Sequence, residues 1–230
     1  MTFVLTNDDG IDAPGLQSLR QALALSGIGQ SVTVAPKHPH SGCSHQLTRG
    51  RPMAIERRSE SEIAIDGTPA DCARVAISAL VPKAQWILSG INAGGNLGAD
   101  VHVSGTVAAV REGLLHRVPG IAVSHYIKNR QPIDWDAATR LTAAVLSRLL
   151  SQPQEPGTFW NVNLPHVSAD MPEPDIVFCT LCSQPLPTAY KIEGGKIAYV
   201  GNYSDRPRDK GSDVDTCFSG AIAISQVRVY

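Results

Sequence analysis

A short apolar run ending in two adjacent acids constrains this chain more than any other stretch. Phe3-Val4-Leu5 is apolar and β-prone, and Thr6-Asn7-Asp8-Asp9-Gly10 follows it. Ile11-Asp12-Ala13-Pro14-Gly15 then breaks the chain before a helical pattern begins at Leu16. Leu16, Leu19 and Leu23 recur at helical spacing, Pro14 suits a helix start, and Gly27 and Gly29 close it. Ser31-Val32-Thr33-Val34-Ala35 reads as a second buried strand, stopped by Pro36. An opening β-α-β unit implies a parallel sheet with a right-handed crossover. Ligands of such sheets bind at the carboxyl ends of the strands, and Asp8 and Asp9 sit at one. Paired carboxylates there are costly to hold without a cation or a proton.

The alternation continues. Residues 37–51 form a polar loop with His38, His40, Ser41, Gly42, Ser44 and His45, leaving the second strand at the same sheet edge as Asp8. Residues 53–56 and 63–65 read as a short hairpin, and Gly67-Thr68-Pro69 turns into a helix reaching about Leu80. A buried strand over 85–89 runs into the glycine-rich loop Gly90-Ile91-Asn92-Ala93-Gly94-Gly95-Asn96-Leu97-Gly98, and Ser104-Gly105-Thr106 opens another helix. Strands at 120–124 and 159–163 flank an amphipathic helix over 135–150, with Ala138, Leu141, Val145 and Leu149 on one face. From about residue 169 the pattern changes to strands at 176–180, 189–192, 196–200 and 221–229 with no helix between them, and 201–215 reads as a polar loop. The expected fold is α/β: a Rossmann-like, doubly wound, mostly parallel sheet with a β-rich C-terminal extension. It forms a single domain over 1–230, with a catalytic core at 1–168 and an arm at 169–230 that packs on or swaps with another subunit.

Composition narrows the function classes. The chain has 230 residues, 43% hydrophobic and 18% charged, which fits one globular domain with a sizeable core. A formal net charge of −1 gives no electrostatic case for non-specific binding to nucleic-acid polymers or membrane surfaces. No apolar run is long enough to span a bilayer, and the first residues lack a signal-peptide core. Five scattered cysteines, an odd number, favour reduced thiols and a cytoplasmic location over a disulfide framework.

Asn92 and Ser41 each follow a strand of the parallel set, as Asp8 does. Three strand ends on one edge bring together two carboxylates, an amide oxygen and a hydroxyl. That all-oxygen set suits a hard cation and suits zinc poorly. Read alone, Ser41 is also an ordinary loop hydroxyl and Asn92 an amide that ties the glycine loop to itself. Ser104-Gly105-Thr106 at a helix start is a ready anion site, and equally a plain N-cap. The glycine loop is neither GxGxxG nor a Walker A sequence, and no Gly-x-Ser-x-Gly elbow occurs, so dinucleotide, P-loop and α/β-hydrolase readings are set aside. His38, His40, His45 and His102 are candidate general acids or surface histidines. Cys179-Thr180-Leu181-Cys182 sits in a strand pattern where the two thiols face opposite ways, so its redox-like spacing is incidental.

Taken together, several blocks resemble one family. Thr6-Asn7-Asp8-Asp9-Gly10-Ile11, Ala35-Pro36 with Ser41-Gly42 and Leu47-Thr48, Gly67-Thr68-Pro69-Ala70-Asp71-Cys72, Ser89-Gly90-Ile91-Asn92 with Gly94 and Asn96, and Ser104-Gly105-Thr106-Val107 look like the SurE survival-protein phosphatases, in order and spacing. Asn161-Val162-Asn163-Leu164-Pro165 and Ser212-Asp213 extend the match into the second half. The resemblance implies a metal-dependent 5′/3′-nucleotidase acting on nucleoside monophosphates, often with some polyphosphatase activity, and a dimer or tetramer with a swapped C-terminal arm. The family's metal ligands would fall on Asp8, Asp9, Ser41 and Asn92, the same all-oxygen set, for which Mg²⁺ or Mn²⁺ is the expected ion. Its phosphate contacts would fall near Asn96, Ser104, Gly105 and Thr106. Val103 stands where the family usually has Tyr, and Ser212 where Thr is usual.

The expected reaction is phosphomonoester hydrolysis with Asp8 and Asp9 as the catalytic acids. One rival is a phosphatase that uses Asp8 as a covalent nucleophile; such enzymes pair the nucleophile with an acid two residues on, where this chain has Gly10. The other is a protein that binds nucleotide or metal without turnover.

Overall fold

The computed structural model describes residues 1–167 and 172–230. The expected boundary between core and arm, at 168/169, lies outside the described residues. The elements run β1 (Thr2–Thr6), α1 (Pro14–Ser26), β2 (Gln30–Pro36), β3 (Ile55–Ser59), β4 (Glu62–Ile65), α2 (Pro69–Val75), β5 (Trp86–Ala93), α3 (Gly105–Leu115), β6 (Gly120–His125), α4 (Trp135–Leu150) and β7 (Thr158–Leu164). They continue with β8 (Ile176–Phe178), β9 (Tyr190–Glu193), β10 (Lys196–Tyr199), α5 (Asp213–Phe218) and β11 (Ile222–Arg228). Among the described residues no helix is long and apolar enough to cross a membrane.

Nine strands form the main sheet in the order β3-β4-β2-β1-β5-β6-β7-β11-β8. The run from β4 through β7 is parallel. β3 is antiparallel to β4, and β11 is antiparallel to β7. The fold is therefore the doubly wound α/β arrangement expected from the opening β-α-β. After β1 the chain crosses to β2 on one side; after β5 it crosses to β6 on the other. The crevice between the ends of β1 and β5 is the switch point of the sheet, the place where such folds receive ligands.

Both faces of the sheet are covered, which is why its strands read as near-continuous apolar runs. Phe3, Leu5, Leu88 and Val123 pack with Leu16, Leu19 and Leu23 of α1 and Leu141, Val145 and Leu149 of α4. Val4, Ile87, Ala122 and Phe159 pack with Cys72 and Ala73 of α2 and Val107 and Val110 of α3. Asp134 caps α4 by accepting the Ala137 N–H at 2.9 Å, and Thr68 and Asp71 cap α2 reciprocally.

Three local expectations need correction. The strand expected over 85–89 continues to Ala93, so Asn92 lies within β5 rather than after it. The helix expected to reach Leu80 ends at Val75 and passes into a single wider turn over Ala76–Leu80. The C-terminal strands do have a helix among them: α5, capped by Ser212 and bounded by Gly211 and Gly220, is too short to show a helical period. β8 and β11 belong to the main sheet, whereas β9 and β10 form a separate two-stranded sheet.

Gly15 seats α1 against the switch point. A Cβ at this position would lie 1.9 Å from the Ile91 carbonyl oxygen. Ala in place of Gly favours an isolated helix by about 1 kcal/mol, but overpacking against backbone costs about 1–3 kcal/mol or more. The clash decides the sign: Gly15→Ala should lower the urea unfolding free energy by about 2 kcal/mol, measured by equilibrium denaturation.

Candidate active site

The acid pair emerges directly from β1. Asp8 is buried and Asp9 half-buried. Asp8 follows Val4 and Thr6 at the strand's two-residue period, so it lies on the sheet face covered by α3. There the Thr106 hydroxyl donates to Asp8 Oδ1. Gly105 lies against the same carboxylate: a Cβ there would sit 2.8 Å from Asp8 Cβ and 2.9 Å from Cys43 Sγ. Close approach therefore explains the glycine at the first position of α3. Burial pushes the Asp8 carboxyl up to about 6; the Thr106 hydroxyl opposes that rise and the like charge of Asp9 adds to it. Asp9 Oδ2 accepts the Ala93 N–H at 3.1 Å, which joins the end of β1 to the end of β5.

Asn92 reaches this edge because β5 is irregular. Ser89 pairs with Ala122, yet Asn92 pairs with Ser124, so β5 carries one residue more than β6 over this interval. The extra residue returns Asn92 to the face of Ser89 and, through the Thr6–Ser89 register, to the face of Asp8. Gly90, at φ +136°, permits it, since a Cβ would lie 2.2 Å from the Val123 carbonyl oxygen. The Asn92 side-chain N–H donates to Gly94 O at 2.8 Å, leaving Oδ1 as an acceptor.

Ser41 is exposed and arrives with the loop after β2. That loop is tied down on both sides of it. The His40 N–H donates to Asp8 O at 2.7 Å, and the Ser44 N–H to Val103 O at 3.1 Å. Farther along, the Thr48 N–H donates to Asp71 Oδ1 at 2.9 Å. His45 Nε2 lies 2.8 Å from Glu112 Oε2, so this histidine is engaged by an acid of α3. Burial alone would raise Glu112, but hydrogen bonds from His45 and Arg74 outweigh it and hold the carboxyl at about 2.

Ser104 caps α3, its hydroxyl accepting the Val107 N–H at 3.1 Å. The Thr106 hydroxyl is engaged by Asp8. What these residues offer toward an anion is thus the start of α3, which opens beside the acid pair. Asn96 is buried, with its side-chain N–H donating to Ser124 Oγ at 2.7 Å. Its backbone is held by Asn163, which accepts the Asn96 N–H at 2.8 Å, and by Asn161 and Asn163 N–H groups donating to Asn96 O at 2.9 and 3.0 Å. Asn161, Asn163 and Ser124, which hold Asn96, and Cys43, which lies against Gly105, are not among the site residues expected from the sequence. The Asn-x-Asn alternation of β7, which puts both amides on one face, was the available signal for two of them.

The donor chemistry fits a hard cation. Asp8, Asp9, Asn92 and Ser41 offer only oxygen, and a buried acid with a like-charged neighbour is relieved by a cation. Among the described residues no group of three or more His, Cys, Asp or Glu is arranged to hold an ion. A site at this edge would therefore draw on neutral oxygens as well as on the acid pair.

An acid pair at the switch point of a doubly wound sheet, beside a helix start, defines a Rossmann-like α/β protein with its polar centre at one strand edge. The family described as Survival protein SurE matches residues 3–186. A Nostoc sp. protein, whose name gives 5′-nucleotidase as a provisional assignment, is 54% identical over 229 residues, covering 100% of both chains. The 5′-nucleotidase SurE of Pelobacter propionicus is 37% identical over 92% of this chain and 79% of its own. The crystal structure of the SurE protein from Aquifex aeolicus superposes with a TM-score of 0.86 at 28% identity, covering 99% of this chain and 93% of that one. The chain belongs to the SurE survival-protein family.

The Asp8 carboxyl gives a pH-dependent expectation. Its folded pKa, about 6, lies above the unfolded value near 3.9, so the folded state holds the proton more tightly. Its contribution to stability is full below about pH 4 and is lost as pH rises through about 6. In chelator, Asp8→Asn should be more stable than the parent at pH 8 by about 3 kcal/mol. That advantage should shrink as pH falls below the folded pKa. Urea denaturation of both proteins at pH 8 and pH 4.5 checks it; an equal difference at both would refute the assignment.

Proposed function

We propose that this chain is a metal-dependent phosphomonoesterase, a 5′-nucleotidase hydrolysing nucleoside 5′- and 3′-monophosphates to nucleoside and phosphate, with short polyphosphate as a further substrate. The observation that carries the reading is the meeting of Asp8, Asp9 and Asn92 at the switch point where α3 begins. The 5′-nucleotidase names of the relatives support it.

Asp8, Asp9, Ser41 and Asn92 would hold one divalent ion, Mg²⁺ or Mn²⁺ by their all-oxygen chemistry. Such an ion, when bound, supplies Lewis-acid stabilisation of charge on the phosphoryl group. Asp9, steadied by the Ala93 N–H and less buried than Asp8, orients the attacking water, and one of the two acids accepts its proton. Asn96 and the Ser104, Gly105 and Thr106 stretch stabilise the phosphoryl oxygens. Water oxygen bonds to phosphorus, the P–O bond to the nucleoside breaks, and the nucleoside oxygen leaves as an alcohol carrying the proton that the acid took from the water.

The assembly proposed is a homodimer or homotetramer joined through the β9–β10 hairpin. An isolated two-stranded sheet is marginal in water, and this one presents Ile192 at 75% and Ile197 at 65% exposure. All five cysteines are free, which supports a reducing, cytoplasmic setting.

Asp9→Asn should leave the far-ultraviolet spectrum and melting temperature near those of the parent. It should lower kcat on nucleoside monophosphates and p-nitrophenyl phosphate by about 10²–10³-fold or more. Chelator should silence the parent, and Mg²⁺ or Mn²⁺ should restore it. Near-parent turnover by Asp9→Asn would overturn the proposal, and a trapped phosphoryl group on Asp8 would favour the covalent rival.

A further inference from the structure

The loop that carries Asn96 toward α3 is gripped from two directions. On one side are the amides of β7 described above. On the other is the C-terminal segment, none of whose residues enters the proposed chemistry. Asp213 is fully buried, and its carboxylate accepts the N–H groups of Gly98 at 2.7 Å, Cys182 at 2.7 Å and Val214 at 2.8 Å. Arg206, 3% exposed, donates to Asp100 Oδ2 at 2.8 Å, to Leu97 O at 3.2 Å and to the Tyr203 hydroxyl at 2.8 Å. Tyr203 in turn donates to Asp100 at 2.5 Å. Gly98, at φ +53°, leaves no slack: a Cβ would meet Cys182 O at 2.8 Å and Arg206 at 3.2 Å.

Burying a carboxylate and a guanidinium is an expensive way to join two loops. Apolar packing would hold the segment down without fixing individual backbone groups. These charges spend their hydrogen bonds on the main chain of 97–98 and on Asp100, in the stretch between Asn96 and the cap of α3. Charge-assisted bonds of this kind fix orientation as well as proximity.

We infer that Asp213 and Arg206, with Tyr203, are positioning residues for the anion-binding part of the site: they set the backbone of 97–100 and through it the Asn96 amide and the start of α3. The inference rests on the phosphomonoesterase reading. The three residues touch neither the acid pair nor any expected substrate contact, so their loss should act on phosphate affinity more than on turnover.

The test uses the full chain with Mn²⁺. It compares the parent with Tyr203→Phe, Arg206→Lys and Asp213→Asn in p-nitrophenyl phosphate kinetics, in competitive inhibition by inorganic phosphate and in amide exchange over 96–101. Tyr203→Phe keeps the ring and removes one hydroxyl, so it serves even where Asp213→Asn fails to fold. The expected result is a rise in KM and in the phosphate inhibition constant together, by about 3- to 30-fold. kcat should change less, and exchange over 96–101 should be faster. Folded variants with parental KM and phosphate inhibition would overturn the positioning role and leave the proposed activity intact. A parent inactive on every phosphomonoester would overturn the activity. The positioning role would then be decided by calorimetric phosphate affinity: weaker binding in the variants supports it, and unchanged binding refutes it.

Discussion

The Thr106 hydroxyl donates to the Asp8 carboxylate in the buried gap between the end of β1 and the beginning of α3. Much of the candidate site follows from that contact. It needs Gly105, because any side chain there would collide with Asp8 and Cys43. It places an ionisable acid where burial raises its pKa and a second acid raises it further. It also aims the start of a helix, with its partial positive charge, at the edge where the acids emerge. Dehydration of this kind makes an ionised carboxylate costly unless a proton or an opposite charge relieves it.

The remaining parts are brought to this contact by distortions and tethers. The extra residue in β5 turns Asn92 onto the face of Asp8, and Gly90 makes room for it against Val123. The His40 amide pins the Ser41 loop to the Asp8 carbonyl, while Asp71 and Glu112 hold its farther end. On the opposite flank Asn96 is locked into β7 by paired amides. Asp8, Asp9 and Asn96 at this edge are held by hydrogen bonds, whereas the Ser41 side chain is exposed.

The C-terminal segment ties the fold together in a way its composition disguises. Its strands look like an appendage, yet β11 lies beside β7 in the main sheet, and Asp213 and Arg206 reach back to the glycine loop. The exposed β9–β10 hairpin leaves from Cys182 and returns at Tyr203, both of which are latched to that network. The hairpin is therefore rooted at the loop beside the candidate site.

By itself the sequence determined the alternation of strands and helices, the parallel core and the placement of Asp8 and Asp9 at a strand end. These follow from apolar periodicity, from Pro14 and Pro36 and from the polarity switch at Asn7, all of which act over a few residues. It also marked Asn92 and Ser41 as candidates, because each was read as following a strand of one parallel set, and Ser104–Gly105–Thr106, because it reads as a helix start. Tertiary structure decided how they meet: the bulge that re-aims Asn92, the engagement of Thr106 by Asp8, the Asn161–Asn163 clamp and the reach of Asp213 and Arg206 to residues 97–100. It also decided the α5 helix, too short to carry a period, and the insertion of β11 beside β7. Periodicity reports which face of an element is apolar, whereas a hydrogen bond between residues a hundred positions apart depends on where the chain has already packed.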